Sequence, residues 1–379
     1  MTDHSHDRHD IRDIQQETVI TAIGRTLTAA AVAAALIGGA AACGTVENLT
    51  AGQKVDRAFD RLGRERSLAL ELDVDATAAR VRSLAAEADP DAELPLEVAR
   101  LISDARISIA VRSTKPLEQS GDDDIAGVAV TVDTPEGALI EYRQVGDHLY
   151  YRVDAEALKD LTGAPLPSAD DLPPEADAAR KALQGEWIKI DRKKLDETKA
   201  GMKEMGGAPA PQPSLDAKAQ KKLVKALRTV IAREVTFTSR DGEGDTEHIT
   251  ATAPLRTLLT SLFGQIRPLA GDLPPGLAEL PTDEDLKDAP NRKVGADFTL
   301  TGGGLTAVSI DLAELSERPS KGGKLPLVLR IDEAGRITAP AGATELDLEQ
   351  MMPGLLGPGP AGEDPFPGED PLAEEGLVP

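Results

Sequence analysis

The sequence is poor in cysteine and in aromatic residues. Cys43 is the only cysteine among 379 residues, which excludes a disulfide framework of the kind that stabilises small secreted domains. The aromatic residues are five Phe, three Tyr and one Trp, so the interior must be built from Leu, Val, Ile and Ala. Aliphatic walls suit acyl chains, but a GC-rich genome that favours alanine gives the same composition. Composition alone does not separate these two explanations.

Basic residues are outnumbered by acidic ones, 42 to 65, which gives a net charge of −23. Such a surface repels nucleic acid and anionic lipid headgroups, and no Lys/Arg cluster resembles a phosphate-binding stripe. We therefore expect no nucleic-acid partner. With a hydrophobic content of 40%, the chain can bury one large core or two modest ones.

The one hydrophobic run near the start of the chain is short. Leu27 to Ala42 carries no charge, follows Arg25 and closes on Ala40-Ala41-Ala42-Cys43. At a rise of about 1.5 Å per residue this run is too short to span a hydrocarbon core of about 30 Å comfortably. The pattern predicts a secretion signal over residues 1–42 and lipid attachment at Cys43. A retained anchor helix and a buried structural thiol are the alternatives.

This segment resembles the bacterial lipoprotein signal, in which a Leu-Ala-Gly/Ala-Cys box is diacylated on the cysteine and cut just before it. Ala40 stands where that box usually carries leucine, a departure that concerns the efficiency of processing more than its site. The resemblance implies that lipidated Cys43 anchors the protein to the extracytoplasmic face of the cell membrane through two or three acyl chains.

Patterns that carry catalysis or bind metals are missing from the sequence. The three histidines before residue 10 precede the expected cleavage point, which leaves only His148 and His248. No Gly-x-Ser-x-Gly elbow and no phosphate-cradling glycine loop occurs. The acidic run from Asp241 to Asp245 lacks the glycine and glutamate that an EF-hand needs at its sixth and twelfth positions. We therefore assign no catalytic residue, no metal site and no cofactor, and we do not expect an enzyme.

Hydrophobic periodicity predicts two halves of similar character. Leu68, Leu70, Leu72 and Val74 alternate with polar residues as in a half-buried strand. The expected organisation is a signal peptide at 1–42, a tether at 43–51, a first α+β half at 52–200, a Pro/Gly linker at 201–214, a second α+β half at 215–349 and a disordered acidic Gly/Pro tail at 350–379.

Both halves contain predicted antiparallel strands. Three such strands lie between Ile125 and Val153, and the second half ends with a strand at 325–331 and a hairpin turn at 332–335. Segments 75–84 and 251–260 both pass from the end of a strand into a leucine-bearing helix. A weak internal duplication explains this likeness, and chance similarity in alanine-rich sequence is the alternative.

The hairpin from Val145 to Tyr151 is followed by a helix and by a strand at Gly185 to Ile190. These elements lie downstream of the lipidated cysteine and of an amphipathic helix, and in this order they resemble the LppX/LprG type of actinobacterial lipoproteins. In that family a curved antiparallel sheet forms a half-barrel with helices on its concave side, related in shape to the LolA/LolB lipoprotein carriers. The resemblance implies an α+β fold of this kind, and the greater length of this chain leaves open one enlarged half-barrel or a duplicated one.

The family's half-barrel encloses a hydrophobic cavity for lipid or glycolipid acyl chains. The resemblance therefore implies an anchored lipoprotein that binds a lipid or another hydrophobic ligand in an aliphatic cavity, for transport of envelope lipids. A structural or protein-interaction lipoprotein with a filled core is the alternative. The sequence assigns neither the ligand-binding residues nor the oligomeric state.

Overall fold

The computed structural model describes residues 46–88, 94–162, 167–172, 176–204, 217–272, 280–287, 289–315 and 322–346. The predicted signal peptide, Cys43 and the predicted acidic tail lie outside the described residues, as do residues 205–214 of the predicted linker.

Twelve strands and eight α-helices make up the described part of the chain. The strands are β1 (Ser67–Val74), β2 (Arg106–Ser113), β3 (Ile125–Thr134), β4 (Gly137–Val145), β5 (His148–Val153), β6 (Ile188–Asp191), β7 (Thr236–Asp241), β8 (Thr246–Pro254), β9 (Lys293–Thr301), β10 (Gly304–Asp311), β11 (Pro326–Asp332) and β12 (Thr344–Glu345). The helices are α1 (Val46–Arg64), α2 (Ala78–Ala88), α3 (Leu96–Asp104), α4 (Ala155–Thr162), α5 (Asp177–Leu183), α6 (Arg192–Glu204), α7 (Ala217–Glu234) and α8 (Leu255–Ile266).

All twelve strands belong to one curved, unclosed sheet in the order β12-β6-β5-β4-β3-β2-β1-β11-β10-β9-β8-β7. Neighbouring strands are antiparallel except β12 and β6, which are parallel. Strand β1 joins the two halves, because Leu70 lies opposite Ile109 of β2 on one side and Ile331 of β11 on the other. The predicted α+β class with a curved antiparallel sheet is confirmed, and the two halves share a single sheet.

The same order of elements occurs in both halves. Strand β1 leads through α2 and α3 to its antiparallel neighbour β2, and β8 leads through α8 to its antiparallel neighbour β9. This arrangement corresponds to the two segments, 75–84 and 251–260, whose likeness the sequence indicates.

The pleat gives the sheet two chemically different faces, because directly opposed residues of neighbouring strands point to the same side. We call one side the apolar face. Across β1 to β5 it carries the row Leu70, Ile109, Val130, Tyr142 and Tyr151. We call the other side the polar face. Across the same strands it carries the row Glu71, Ser108, Thr131, Glu141 and Arg152.

Helix α1 covers the apolar face where β7 to β10 run. Ala51, Val55 and Ala58 recur at helical spacing and are 0%, 5% and 0% exposed. The two small alanines let the helix approach the sheet closely, and it packs there against Ile249 and Leu300. This contact forms the largest core of the described residues and ties the start of the chain to the second half.

A smaller core lies at the opposite end of β1. Val81 of α2 and Ala99 of α3 pack there with Ala313 and Leu325 from the second half. The guanidinium of Arg80 fixes the same junction, because its Nε donates a hydrogen bond to the backbone oxygen of Lys324 at 3.2 Å. The helices inserted between β1 and β2 are therefore held by both halves.

Residues 333–346, here called the C-terminal strap, run across the polar face towards β6. Arg112 of β2 donates from Nη1 to the backbone oxygen of Ala334 at 2.8 Å, and Arg143 of β4 donates from Nη1 to that of Thr338 at 3.3 Å. These arginines extend from the sheet and bind the backbone of the strap. Ala334 is 2% exposed as a result.

The strap also packs into the sheet and extends its edge. A Cβ at Gly127 of β3 would lie 3.3 Å from the Cβ of Ile337, so the glycine allows this close approach. The strap then ends as β12, where the backbone N–H of Thr344 donates to the oxygen of Trp187 at 2.8 Å. Strand β6 is thereby covered on its outer side, which protects it from pairing with another chain.

Four predicted boundaries need correction. Helix α1 begins at Val46, so the tether predicted to reach Ala51 is largely helical, because the amphipathic pattern of α1 extends that far. Helix α6 continues to Glu204 into the predicted linker. The strand predicted from Gly185 begins only at Ile188, and the hairpin turn predicted at 332–335 is wrong, because the chain leaves β11 as the strap.

The core under α1 can be tested with two isoleucines of the apolar face. Ile249 is 0% exposed and Ile310 is 36% exposed. We expect Ile249→Ala to lower the free energy of unfolding by about 2–5 kcal/mol, because it leaves a cavity, and Ile310→Ala to lower it by less than about 1.5 kcal/mol. Urea unfolding with an unchanged m-value measures both. Equal losses would contradict the assignment of the core.

Candidate functional site: a half-exposed apolar face

The apolar face is covered unevenly. In the second half Ile249 is 0%, Leu300 3% and Phe237 2% exposed. On β1 to β4, in the middle of the sheet order, six aliphatic residues of the same face are only half-buried. These are Leu72, Ile107, Ile109, Val130, Val132 and Ile140.

This half-exposed patch, which we call the aliphatic patch, is continuous across strands. Leu72 lies opposite Ile107, Ile107 opposite Val132, and Val132 opposite Ile140. A second row runs through Ile109 and Val130 to the tyrosines of β4 and β5. Since β-branched residues pack well on a pleated surface, the sequence forms a rigid aliphatic wall here. An apolar surface of this kind gains free energy when a hydrophobic ligand removes it from water.

Two tyrosines border the aliphatic patch on the side of β6. The rings of Tyr142 and Tyr151 lie 5.0 Å apart between centroids and are tilted by 46°. Tyr151 is 37% exposed, and the hydroxyl of Tyr142 lies 3.3 Å from Oε1 of Gln144, to which it donates a hydrogen bond. Burial raises the pKa of Tyr151 to about 12, and nearby Tyr142 adds to the shift. Both side chains therefore stay neutral at physiological pH.

A cation lies at the same border. Arg192 is the first residue of α6, directly after β6, and its backbone N–H donates to the oxygen of Asp147 at 2.9 Å. Desolvation raises the pKa of Tyr142, and the positive charge of Arg192 opposes that shift. The backbone of Arg192 lies at the end of β6, next to the turn between β4 and β5.

The carboxylates next to Arg192 in the chain are engaged elsewhere. Oδ1 of Asp191 accepts hydrogen bonds from the backbone N–H groups of Lys193 at 2.8 Å and Lys194 at 3.3 Å, and the first of these groups holds the start of α6. Oδ2 of Asp147 lies 3.8 Å from Nζ of Lys193. Within the ranges that the structure describes, no ion pair involves Arg192.

The polar face behind the patch contains a charged cluster of its own. Glu141 is 8% exposed and bonds to the guanidinium groups of Arg143 and Arg152. Both guanidinium groups also lie over the ring of Trp187, at 4.8 and 5.5 Å from its centroid. Glu141 is paired within the protein and Arg143 also binds the strap, so we do not include this cluster in the candidate site.

The residues that the sequence singled out are not brought together. Cys43 lies outside the described residues. His148 is on β5 and His248 on β8, eight strand spacings apart in the sheet order, which is about 40 Å along the sheet. Among the described residues no three His, Cys, Asp or Glu side chains are grouped in a way that could hold a metal ion.

The sequence did not assign the residues of the aliphatic patch, although it contained a signal for them. Alternation at 107–111 and 128–132 predicts one apolar face per strand. It does not predict which part of that face another element covers, because that depends on contacts between distant segments. The sequence contained no signal for Arg192, since it is one of three consecutive basic residues at the start of a polar helix.

Comparisons with known proteins do not establish a family for this chain. No family model matches the sequence, and no curated protein matches it. The chain is similar to the crystal structure of the lipoprotein LppX of Mycobacterium tuberculosis, with 11% sequence identity over 74% of this chain and 92% of that one. The TM-score of this match is 0.27, which is too low to establish a shared fold.

None of the helices in the described ranges is both long and apolar enough to cross a membrane.

The tyrosine border predicts a specific alkaline transition. Tyr151 holds its proton more tightly in the folded chain, where its pKa is about 12, than in the unfolded chain, where it is about 10. Its contribution to stability is therefore complete below pH about 10 and is lost as the pH rises towards 12. In a spectrophotometric titration, Tyr151→Phe should remove the latest phenolate step. An unchanged late step would contradict this environment for Tyr151.

Proposed function

We propose that this protein is a membrane-anchored extracytoplasmic lipoprotein that binds the apolar chains of a lipid on the aliphatic patch. The observation that supports the proposal is the contrast along the apolar face. The chain buries Phe237, Ile249 and Leu300 of the second half almost completely, yet leaves the six aliphatic residues of the patch on β1 to β4 only half-buried. A hydrophobic ligand would complete the cover there.

The free energy gained by burying the aliphatic patch is large enough to support binding of a lipid chain. Burial of apolar surface contributes about 25 cal/mol per Å², or about 0.8 kcal/mol per methylene group. Contact between an acyl chain and six aliphatic side chains in two rows therefore offers several kcal/mol before the cost of association. The strands are fixed by pairing on both sides, so little of this free energy is spent on ordering the protein.

The anchor gives the proposed carrier its location. Cys43 precedes the first residue of α1 by three positions, and α1 packs on the same sheet that carries the aliphatic patch. A lipid-modified Cys43 would keep the binding face within a few nanometres of the membrane that supplies the ligand. This raises the local concentration of both partners. Envelope lipid transport is the role that fits such an arrangement.

Binding can be tested with a neutral fluorescent probe, the methyl ester of dansylaminoundecanoic acid, and the chain from residue 44 to 379. We expect Ile109→Asn to weaken binding about tenfold, since it places a polar group in the middle of the patch. Ser108→Asn is the matched control on the polar face of the same strand, and it should change the affinity less than about twofold.

Thermal unfolding of both variants shows whether the fold is kept. Equal affinity of Ile109→Asn and the original chain would exclude the patch as the binding surface. The absence of any probe binding to the original chain would favour the alternative, a structural or protein-interaction lipoprotein.

Anchoring is tested separately at Cys43. In an actinobacterial host the original chain should fractionate with membranes and carry the mass of its acyl groups. We expect Cys43→Ser to lose both, because serine does not provide the thiol that is acylated. Thr45→Ser, two residues away, is the control and should behave as the original chain. Membrane association of Cys43→Ser equal to that of the original chain would rule out this anchor.

A further inference from the structure

We propose that the outer face of α7 contacts the anionic lipid headgroups of the membrane that holds the protein. This inference goes beyond the binding of a lipid chain on the aliphatic patch, and it rests on the proposed anchor at Cys43 for the position of the membrane. It assigns an interaction surface and the chemistry of its partner, a negatively charged bilayer surface.

The first argument is the composition of α7. Between Ala217 and Glu234 the helix contains six Lys or Arg residues and one acidic residue. That acid, Glu234, is already paired, because its Oε1 lies 2.6 Å from Nε of Arg233. The whole chain has 42 basic and 65 acidic residues, so α7 is a local exception to a net charge that repels anionic headgroups.

The second argument is that the apolar side of α7 is directed into the protein. Ala226 and Val230 are only 7% and 1% exposed, and the half-buried Leu223, Leu227 and Ile231 extend the same stripe. Ile231 packs against the core under α1. These contacts fix the rotation of the helix about its axis.

The basic residues of α7 lie on its opposite side. Lys222, Lys225 and Arg228 are exposed. With 3.6 residues per turn, Lys225 and Arg228 are about 140° and 160° around the helix from Val230. Within the ranges that the structure describes, no ion pair involves either of these two cations. Their charge is therefore directed outwards and is not neutralised by a carboxylate of the described chain.

The third argument is the short distance between the anchor and α7. Cys43 precedes Val46, the first residue of α1, by three positions, so the start of α1 lies within about 10 Å of this cysteine. Ala51 and Val55 of α1 belong to the core against which Ile231 of α7 packs. A lipid-modified Cys43 would therefore hold α7 close to the bilayer surface.

Anionic bilayers attract a helix face of this kind. Each Lys or Arg near a negatively charged membrane surface raises the affinity about fivefold, and the effect falls off within a Debye length of about 8 Å at physiological ionic strength. The neutral alternative is that these cations only keep an amphipathic helix solvated. The two roles differ, because only a headgroup contact depends on the charge of the bilayer.

The experiment measures co-sedimentation of the chain from residue 44 to 379, which lacks the acyl anchor, with vesicles. Anionic vesicles contain equal amounts of phosphatidylglycerol and phosphatidylcholine, and neutral vesicles contain phosphatidylcholine alone. We expect the original chain to bind the anionic vesicles about twentyfold more tightly, which is about fivefold for each of two cations. NaCl at about 1 M should abolish this preference, since it shortens the Debye length to about 3 Å.

Paired substitutions test whether α7 is the surface in contact. Lys225→Gln combined with Arg228→Gln should remove the preference and leave binding to neutral vesicles unchanged, whereas Lys225→Arg combined with Arg228→Lys should keep it. Arg82→Gln combined with Arg100→Gln is the matched control. It removes the same charge from exposed positions on α2 and α3, and it should change the affinity less than about twofold.

Two outcomes would overturn the inference. One is equal binding of anionic and neutral vesicles by the original chain. The other is an equal loss of the preference in both charge-removing pairs, which would assign the effect to the average charge of the protein. Either result leaves the proposed function intact, because the neutral dansyl ester tests the aliphatic patch and Cys43→Ser tests the anchor.

Discussion

The structure depends on one constraint, which is that a twelve-stranded sheet with a continuous apolar face must keep that face from water. Most of the strands contribute alternate aliphatic residues to the same side. Helix α1 solves the problem for β7 to β10 by packing Ala51 and Val55 against Ile249. The described helices do not bury the strands β2 to β4 in the same way, where residues such as Ile109 and Val130 stay half-exposed.

The polar face is closed by a different physical means. The strap crosses it with backbone groups, and the sheet supplies the donors through Arg112 and Arg143. The arginine that binds the strap at Thr338 also lies over Trp187, whose backbone oxygen accepts the hydrogen bond that begins β12. Hydrogen bonds to charged donors are worth roughly twice those between neutral groups, so a few of them hold a segment with little apolar surface. The strap therefore covers part of the polar face between β2 and β6, whereas the half-buried aliphatic residues of β2 to β4 lie on the apolar face.

Much of the local structure could be predicted from the sequence, because alternation and helical spacing are local properties. The strand at Leu68 to Val74, the three strands between Ile125 and Val153 and the helix with Val55 all occur as predicted. The pairing of β1 with β11 could not be predicted, since it joins residues about 260 positions apart and no local pattern specifies it. Strand β12 has two residues, too few for any periodicity, and the strap has no hydrophobic pattern at all.

For the candidate site too, local patterns predict one part of the structure, and contacts between distant segments determine the rest. Alternation predicts that Ile109 faces the apolar side, but whether that side is covered depends on where α1 packs, and α1 packs on the second half. This placement has an energetic consequence. A face left half-exposed gives up part of the stability that complete burial would supply, at about 25 cal/mol per Å². A ligand that binds the folded chain restores this loss by mass action, by an amount that grows with the logarithm of its concentration relative to its Kd. A protein held at a membrane would meet such a ligand at high local concentration. The stability lost at the incompletely covered face would be restored there, but it would not be restored in a chain far from lipid.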